Sequence, residues 1–219
     1  MKINLKLTMG LCYIALIITT IICCGSGSKK RFDYGHIKDN TYFNSFFGLE
    51  VKLPPNWIIL RQEQLKNMKE KGIKLLTNNK NLSAIIKASE VNTANLLGIC
   101  KYENGAPVDF NPSLVLVAEN LKDYPGVKTG SDYLFHASKL LKQVQLEYYI
   151  DEEFEKETIN NQEFYLMNTS INMMELDITQ IYYVTIRNGF ALGIIITFID
   201  DEQKKELERA VKSMKFNKD

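Results

Sequence analysis

Two adjacent apolar segments near the carboxyl end constrain the fold most. Residues 178–187 and 190–199 flank Asn188-Gly189, which is the strongest sequence signal for a type I′ turn between two antiparallel strands. Such a turn sets the register, so we expect Arg187 to pair with Phe190. The other expected pairs are Thr185 with Leu192, Tyr183 with Ile194, and Ile181 with Ile196. Both faces of the hairpin are apolar, which predicts covering layers on both sides of its sheet.

Three helices are predicted to supply these layers. The clearest follows the hairpin, where Asp200 begins an acidic first turn before an apolar stripe over 207–214. A second helix is expected to have Ser131 as its cap and to turn Phe135 away from its apolar stripe. The pattern over 62–76 predicts a third helix that Gly72 weakens.

The other apolar segments are typical of strands. They cover residues 49–53, 83–91, 97–103, 113–121, 156–160 and 162–172, with a second hairpin at Asn160-Asn161. Strands come in runs, and helices are inserted between the runs. This order predicts an α+β fold with a central, largely antiparallel sheet.

Composition and charge exclude several function classes. The chain has 219 residues and is 45% hydrophobic, which is typical of a folded domain. Its 27 basic and 26 acidic residues nearly balance, so we expect no nucleic-acid partner. With two histidines, His36 and His136, and without a known catalytic motif, we expect no metal site, no cofactor and no catalytic residue. His136 is interpreted as a packing residue.

The amino terminus has the three-part plan of a signal peptide. Lys2 and Lys6 precede the largely apolar residues 11–22. The stretch Ile21-Ile22-Cys23-Cys24-Gly25 resembles a bacterial lipobox, which implies that Cys24 carries a lipid and begins the mature protein. Cys23 is the less favoured acceptor. An uncleaved membrane anchor and simple secretion are the alternatives, and all three place the domain outside the cytoplasm.

These features divide the chain into three parts. Residues 1–23 are the expected signal peptide, 24–40 a flexible, lipid-anchored tether, and 41–219 one folded domain. The folded part then contains a single cysteine, Cys100, which lies in an apolar run and is expected to be a buried, structural residue.

Aromatic and acidic side chains offer two further candidate sites. Phe135, Tyr148 and Tyr149 could form a binding surface, although packing in the core is the alternative for residues of this type. The acidic run 151–157 lacks the ligand spacing of a calcium loop, so it is interpreted as a solvated loop.

Short motifs at both ends of the domain resemble the PsbP-like superfamily. They are Tyr42-Phe43-Asn44-Ser45-Phe46-Phe47-Gly48-Leu49, Leu53-Pro54-Pro55-Asn56-Trp57 and Ser213-Met214-Lys215-Phe216. The superfamily includes photosystem II extrinsic proteins, a Ran-release factor and many bacterial lipoproteins. The resemblance implies an antiparallel sheet sandwiched by helices. Gly48 is expected to permit a bend, and Trp57 to pack in the core under the first helix.

Members of this superfamily with known roles mostly bind or assemble other proteins. The sequence therefore indicates a lipid-anchored, non-enzymatic binding or assembly module in the bacterial cell envelope, with the membrane and an envelope protein as partners. The alternative is a small-ligand-binding protein or a hydrolase that uses carboxylates in a sheet-helix cleft.

The lipid anchor is directly testable in a bacterial host that acylates lipoproteins. Cys24→Ala should abolish incorporation of an alkyne analogue of palmitate, because the acceptor thiol is removed, whereas Cys12→Ala should not. Mass spectrometry of the mature protein should find an acylated Cys24 at the amino terminus. An amino terminus at Met1, or labelling that is lost in Cys23→Ala but kept in Cys24→Ala, would contradict the assignment.

Overall fold

The computed structural model describes residues 31–76, Leu82, Ala84 and 92–217. A compact unit begins at Asp33 and includes the later described residues. The expected signal peptide, Cys23, Cys24 and the first residues of the expected tether lie outside the described part. Within the described part, none of the helices is long and apolar enough to cross a membrane.

The described residues contain three long helices and twelve strands. The helices are α1 (Gln62–Leu76), α2 (Gly130–Leu141) and α3 (Asp201–Lys212). The strands are β1 (His36–Lys38), β2 (Thr41–Asn44), β3 (Leu49–Lys52), β4 (Ile58–Ile59), β5 (Thr93–Cys100), β6 (Ser113–Asn120), β7 (Tyr148–Ile150), β8 (Glu155–Ile159), β9 (Gln162–Met173), β10 (Leu176–Arg187), β11 (Phe190–Phe198) and β12 (Lys215–Phe216).

The strands form two sheets. The described part of the large sheet has the order β4-β5-β6-β11-β10-β9-β7, with β8 also paired to β9. The small sheet has the order β1-β2-β3-β12. All of these described pairs are antiparallel. The predicted α+β fold with an antiparallel central sheet is therefore confirmed.

The central hairpin has the register that the Asn188-Gly189 turn predicts. Arg187 pairs with Phe190, and the other three expected pairs are also present. Asn188 and Gly189 have φ angles of 51° and 78°, as a type I′ turn requires at both central positions. Local turn chemistry therefore sets the pairing of the two strands at the centre of the large sheet.

Helices cover both faces of the large sheet. On one face, Leu134 of α2 packs with Met167, Val184 and Ala191. On the other face, Leu192, Ile194 and Ile196 are fully buried, and α3 contacts β11 and β3. The helix α1 lies over β5, where a Cβ atom on Gly98 would collide with Leu65. The two apolar faces of the hairpin are thus both used in the core.

The folded unit begins earlier than the sequence indicates, at Asp33. Its carboxylate accepts hydrogen bonds from the backbone N–H of Gly35 at 2.7 Å and from the Ser45 hydroxyl at 2.9 Å. The Tyr42 hydroxyl donates to the carbonyl of Tyr34 at 2.8 Å. The last residues of the expected 24–40 tether therefore belong to the folded unit, with β1 as an edge strand.

Arg187 joins the two sheets at the end of the hairpin. Its Nε donates to the carbonyl of Phe47 at 2.7 Å, and its Nη2 to the carbonyl of Asn217 at 2.9 Å. Between these two points, Gly48 has a φ of 60°, which is the left-handed conformation that glycine adopts without strain. The expected bend at Gly48 is confirmed. It lies next to Phe47, whose carbonyl accepts the hydrogen bond from Arg187.

The structure refines or corrects three other predictions. Trp57 is buried, as expected, and its indole Nε1 donates to Glu206 of α3 at 2.9 Å, so the last helix also partners it. Most of the predicted strand 83–91 lies outside the described residues, and Ala84 within it is helical. In the acidic run 151–157, the residues from Glu155 onward form β8 and not a loop.

The helix α2 begins two residues earlier than Ser131 would allow. Thr129 is the cap: its side chain accepts a hydrogen bond from the backbone of Asp132, and the Asp132 side chain accepts one from the backbone of Thr129. This reciprocal pair is a capping box, which satisfies two backbone N–H groups. Gly130 becomes the first helical residue and is buried against β10.

Gly130→Ala should therefore destabilise the fold. The new Cβ would collide with the Val184 carbonyl oxygen and lie 3.1 Å from the Tyr165 ring. Overpacking of this kind costs about 1–3 kcal/mol, which should lower the melting temperature by several degrees. Gly126→Ala is a matched control because a Cβ there meets no atom within 4 Å. Equal melting temperatures for the two variants would contradict the close approach.

Candidate functional site

A cleft of about 290 Å³ opens between α2 and the end of β6. Apolar, aromatic and polar side chains line it: Glu119, Leu121, Tyr124, Val127, Tyr133, His136, Ala137 and Leu140. Its volume is near the lower end of the range for ligand pockets, about 300–1,000 Å³. The cleft can therefore accommodate a small organic molecule.

The strand β6 carries a carboxylate into this cleft. Glu119 is directly opposite Ala191 of β11, and Ala191 packs in the cluster that contains Leu134 of α2. Because paired residues of antiparallel strands share a face, the Glu119 side chain lies on the side of the sheet that α2 covers. Only 8% of Glu119 is exposed.

Tyr133 of α2 holds this carboxylate by a short hydrogen bond. Its hydroxyl donates to Oε2 of Glu119 at 2.7 Å. Burial raises the pKa of the Tyr133 phenol well above its usual value, and the negative charge of Glu119 adds to the effect. Tyr133 therefore keeps its proton at neutral pH and acts as a hydrogen-bond donor.

Two polar side chains lie at the more exposed rim of the cleft, Tyr124 and His136. Asp132 lies one helical turn before His136, but its carboxylate is engaged in capping α2. Backbone N–H groups of Lys128 and Thr129 donate to it and lower the pKa of this carboxyl. His136 lines the cleft, whereas the sequence predicted that this residue contributes to packing.

The three aromatic residues predicted as a binding surface do not lie on one face. Phe135 is 49% exposed on the outer side of α2, with the Lys139 ammonium 4.1 Å from its ring centre. Tyr148 is half-buried, and burial raises the pKa of its phenol. Tyr149 is the next residue of the edge strand β7, so it points to the opposite face, where it is 72% exposed.

A second cleft of about 290 Å³ lies beside α1, with Cys100 among its lining residues. Cys100 is buried, its thiol contacts the carbonyl of Tyr102 at 3.1 Å, and burial raises the pKa of the thiol. A raised pKa disfavours the reactive thiolate, which agrees with the structural role predicted for Cys100. Across the described residues, no three His, Cys, Asp or Glu side chains are grouped as metal ligands would be.

Comparisons with known proteins find solved structures that are similar to this chain. No family model matches the chain. No curated protein matches it either. A solution structure of cyanobacterial PsbP from Synechocystis matches with a TM-score of 0.46 and 13% identity, over 84% of this chain and 96% of that chain. A PsbP structure is thus among the matches, as the sequence resemblance predicted.

The other two structures come from different bacteria. LpqN, described as involved in cell envelope biogenesis of Mycobacterium tuberculosis, matches with a TM-score of 0.42 and 13% identity, over 76% of this chain and 82% of that chain. A Pseudomonas aeruginosa protein of unknown function matches with a TM-score of 0.39 and 13% identity, over 56% of this chain and 79% of that chain.

The sequence indicated a sheet-helix cleft as the alternative but did not predict that Glu119 lies in it, although one signal for this residue was available. Val115, Val117 and Glu119 alternate along β6 and therefore share a face. A carboxylate at the end of an apolar row is unusual, because ionised groups are rarely buried without partners. Tyr124 and Val127 lie in the loop before α2, where no periodic pattern predicts the direction of a side chain.

Proposed function

We propose that this protein is a non-enzymatic binding module, anchored outside the cytoplasm by a lipid on Cys24, that holds a small ligand in the cleft beneath α2. The observation that carries the proposal is the buried Glu119 carboxylate in a cleft with mainly apolar and aromatic walls. Ligand sites typically combine apolar walls with a few fixed polar groups that orient the ligand.

The chemistry of the cleft favours binding over catalysis. Tyr133 keeps its proton because the pKa of its phenol is raised, so it is a poor base and a poor nucleophile at neutral pH. Glu119 is the single carboxylate among the described lining residues, whereas hydrolysis by a carboxylate pair needs a second one across the substrate. The Tyr133 bond also fixes the orientation of Glu119, which suits recognition of a ligand.

Filling the cleft tests this proposal. Ala137 lines the cleft on α2, and leucine at that position keeps good helix propensity while it adds three carbon atoms. Ala137→Leu should lower the affinity for small aromatic probes such as 2-phenylethanol by tenfold or more, because the added side chain occupies their volume. Ligand-observed saturation-transfer NMR measures this affinity with the mature protein in detergent.

Ala84→Leu is the matched control, since Ala84 is exposed and helical and does not line the cleft. This variant should bind the probes as the parent protein does. If the parent protein binds none of the probes, or if Ala137→Leu binds them as well as Ala84→Leu does, the proposed function is wrong.

A second candidate function is assembly with an envelope protein, and exposed Tyr149 favours it. This tyrosine projects from β7, which is an edge strand of the large sheet. Exposed aromatic side chains and unpaired strand edges are common recognition elements.

A photo-crosslinking amino acid at position 149 should yield one discrete adduct in intact cells if Tyr149 contacts a partner. The same amino acid in place of Glu63, an exposed residue of α1, should yield none. Identical adduct patterns at both positions would contradict a specific surface at Tyr149.

A further inference from the structure

The small sheet has one buried face and one exposed face. Tyr42, Leu49 and Val51 are almost fully buried on the face that packs into the core. Successive residues of a strand point to opposite faces, and residues paired across antiparallel strands share a face. The register therefore places the alternate residues in two cross-strand rows on the opposite side, which we call the outer face. These rows are Lys38-Thr41-Lys52 and His36-Phe43-Glu50-Lys215.

Lysine side chains dominate the charge of the outer face. Lys38, Lys52 and Lys215 are exposed, whereas Glu50, which is the acidic residue of the two rows, is half-buried. Asp39 adds a second negative charge in the turn after β1. The outer face therefore keeps an excess of positive charge at neutral pH.

The basic surface continues onto the end of α3. Arg209 is exposed and lines the same cleft of about 320 Å³ as Lys52. The hydroxyl of Ser213, just after α3, accepts a hydrogen bond from the backbone N–H of Lys52 at 2.9 Å. This bond ties the end of the helix to the edge of the outer face, so the guanidinium of Arg209 adds to the positive charge there.

Positive charge is concentrated where the chain enters the domain. Lys29, Lys30 and Arg31 directly precede the folded unit, and residues 25–53 contain five basic and three acidic side chains. The balance is reversed over residues 54–214, which contain 18 basic and 22 acidic side chains. Eleven residues, 25–35, separate Cys24 from the first residue of β1. A lipid on Cys24 would therefore hold the basic side of the domain close to the bilayer.

We propose that the outer face of the small sheet rests on the anionic phospholipid surface of the membrane that holds the lipid on Cys24. The ammonium groups of Lys38, Lys52 and Lys215 lie at the phosphate groups of the lipid headgroups. A lipid chain combined with a basic surface is a common way to hold a protein stably on a membrane. This inference rests on the anchoring part of the proposed function and adds the orientation of the domain to it.

Vesicle sedimentation separates the contribution of the outer face from that of the lipid. The protein is the whole chain from residue 24 to 219 with Cys24→Ala, which lacks the acceptor thiol but keeps the compact unit that begins at Asp33. It should sediment with phosphatidylcholine vesicles that contain about one third phosphatidylglycerol, and not with pure phosphatidylcholine vesicles. Raising the salt concentration from about 0.1 M to about 1 M should release it, because the Debye length falls from about 10 Å to about 3 Å.

Two triple variants with the same net charge assign the binding to the outer face. Replacing Lys38, Lys52 and Lys215 by Gln should lower the affinity for the anionic vesicles at least about tenfold, because each basic residue near an anionic bilayer contributes about fivefold. The control replaces three exposed lysines on and around the helices α1 and α2, and it should bind as the unsubstituted protein does. These lysines are Lys66, Lys122 and Lys142.

The outcomes separate this inference from the proposed function. Failure of the Cys24→Ala protein to bind anionic vesicles, binding that high salt does not weaken, or equal losses in the two triple variants would overturn the membrane-facing orientation. None of these results touches the acylation of Cys24 or ligand binding in the cleft, which palmitate labelling and the aromatic probes test. Circular dichroism of both triple variants should match the parent spectrum, since all six lysines are exposed.

Discussion

The guanidinium group of Arg187 connects the large sheet to the segments that flank β3 and β12 of the small sheet. Its donors reach the carbonyl of Phe47 in the opening segment and the carbonyl of Asn217 after the last strand, and Nη1 lies 3.3 Å from Oε1 of Gln162 on β9. The planar guanidinium holds several acceptors in fixed directions. One side chain at the end of the central hairpin therefore aligns three segments that are far apart in sequence.

The hairpin that carries Arg187 also builds the cleft. Val184 and Ala191 lie on its two strands and form the surface on which Leu134 of α2 packs. The close approach of Gly130 to the Val184 carbonyl fixes the start of that helix, and Tyr133 follows within its first turn. The distance between Tyr133 and Glu119 is thus determined by backbone packing, so the hydrogen bond that orders the cleft does not rely on a mobile loop.

The features that were predicted correctly depend on local chemistry. The register around Asn188-Gly189 follows from one turn type, and the bounds of α1 follow from a periodic pattern. Two features that were missed depend on distant contacts, whereas the missed cap of α2 at Thr129 is local. Asp33 is folded because Ser45 donates to it, and Trp57 faces α3 because Glu206 accepts from its indole. The cleft depends on local pattern and on distant contacts. Alternation along β6 determines the face on which Glu119 lies, whereas the packing of α2 on the sheet brings Tyr133 next to it.

If Cys24 carries the proposed lipid, the hydrogen bonds of Asp33 shorten the linker between that lipid and the folded unit. Eight residues, 25–32, separate Cys24 from Asp33. Because an extended chain spans at most about 3.6 Å per residue, this linker reaches about 30 Å at its longest. A globular domain of about 100 residues has a radius of gyration near 13 Å. Its diameter is about 2.6 times that radius, which is slightly larger than the length of this linker. With Cys24 as the anchor, a folded partner of that size has no room between the bilayer and the amino-terminal edge of the domain, and it must approach from the side or from above.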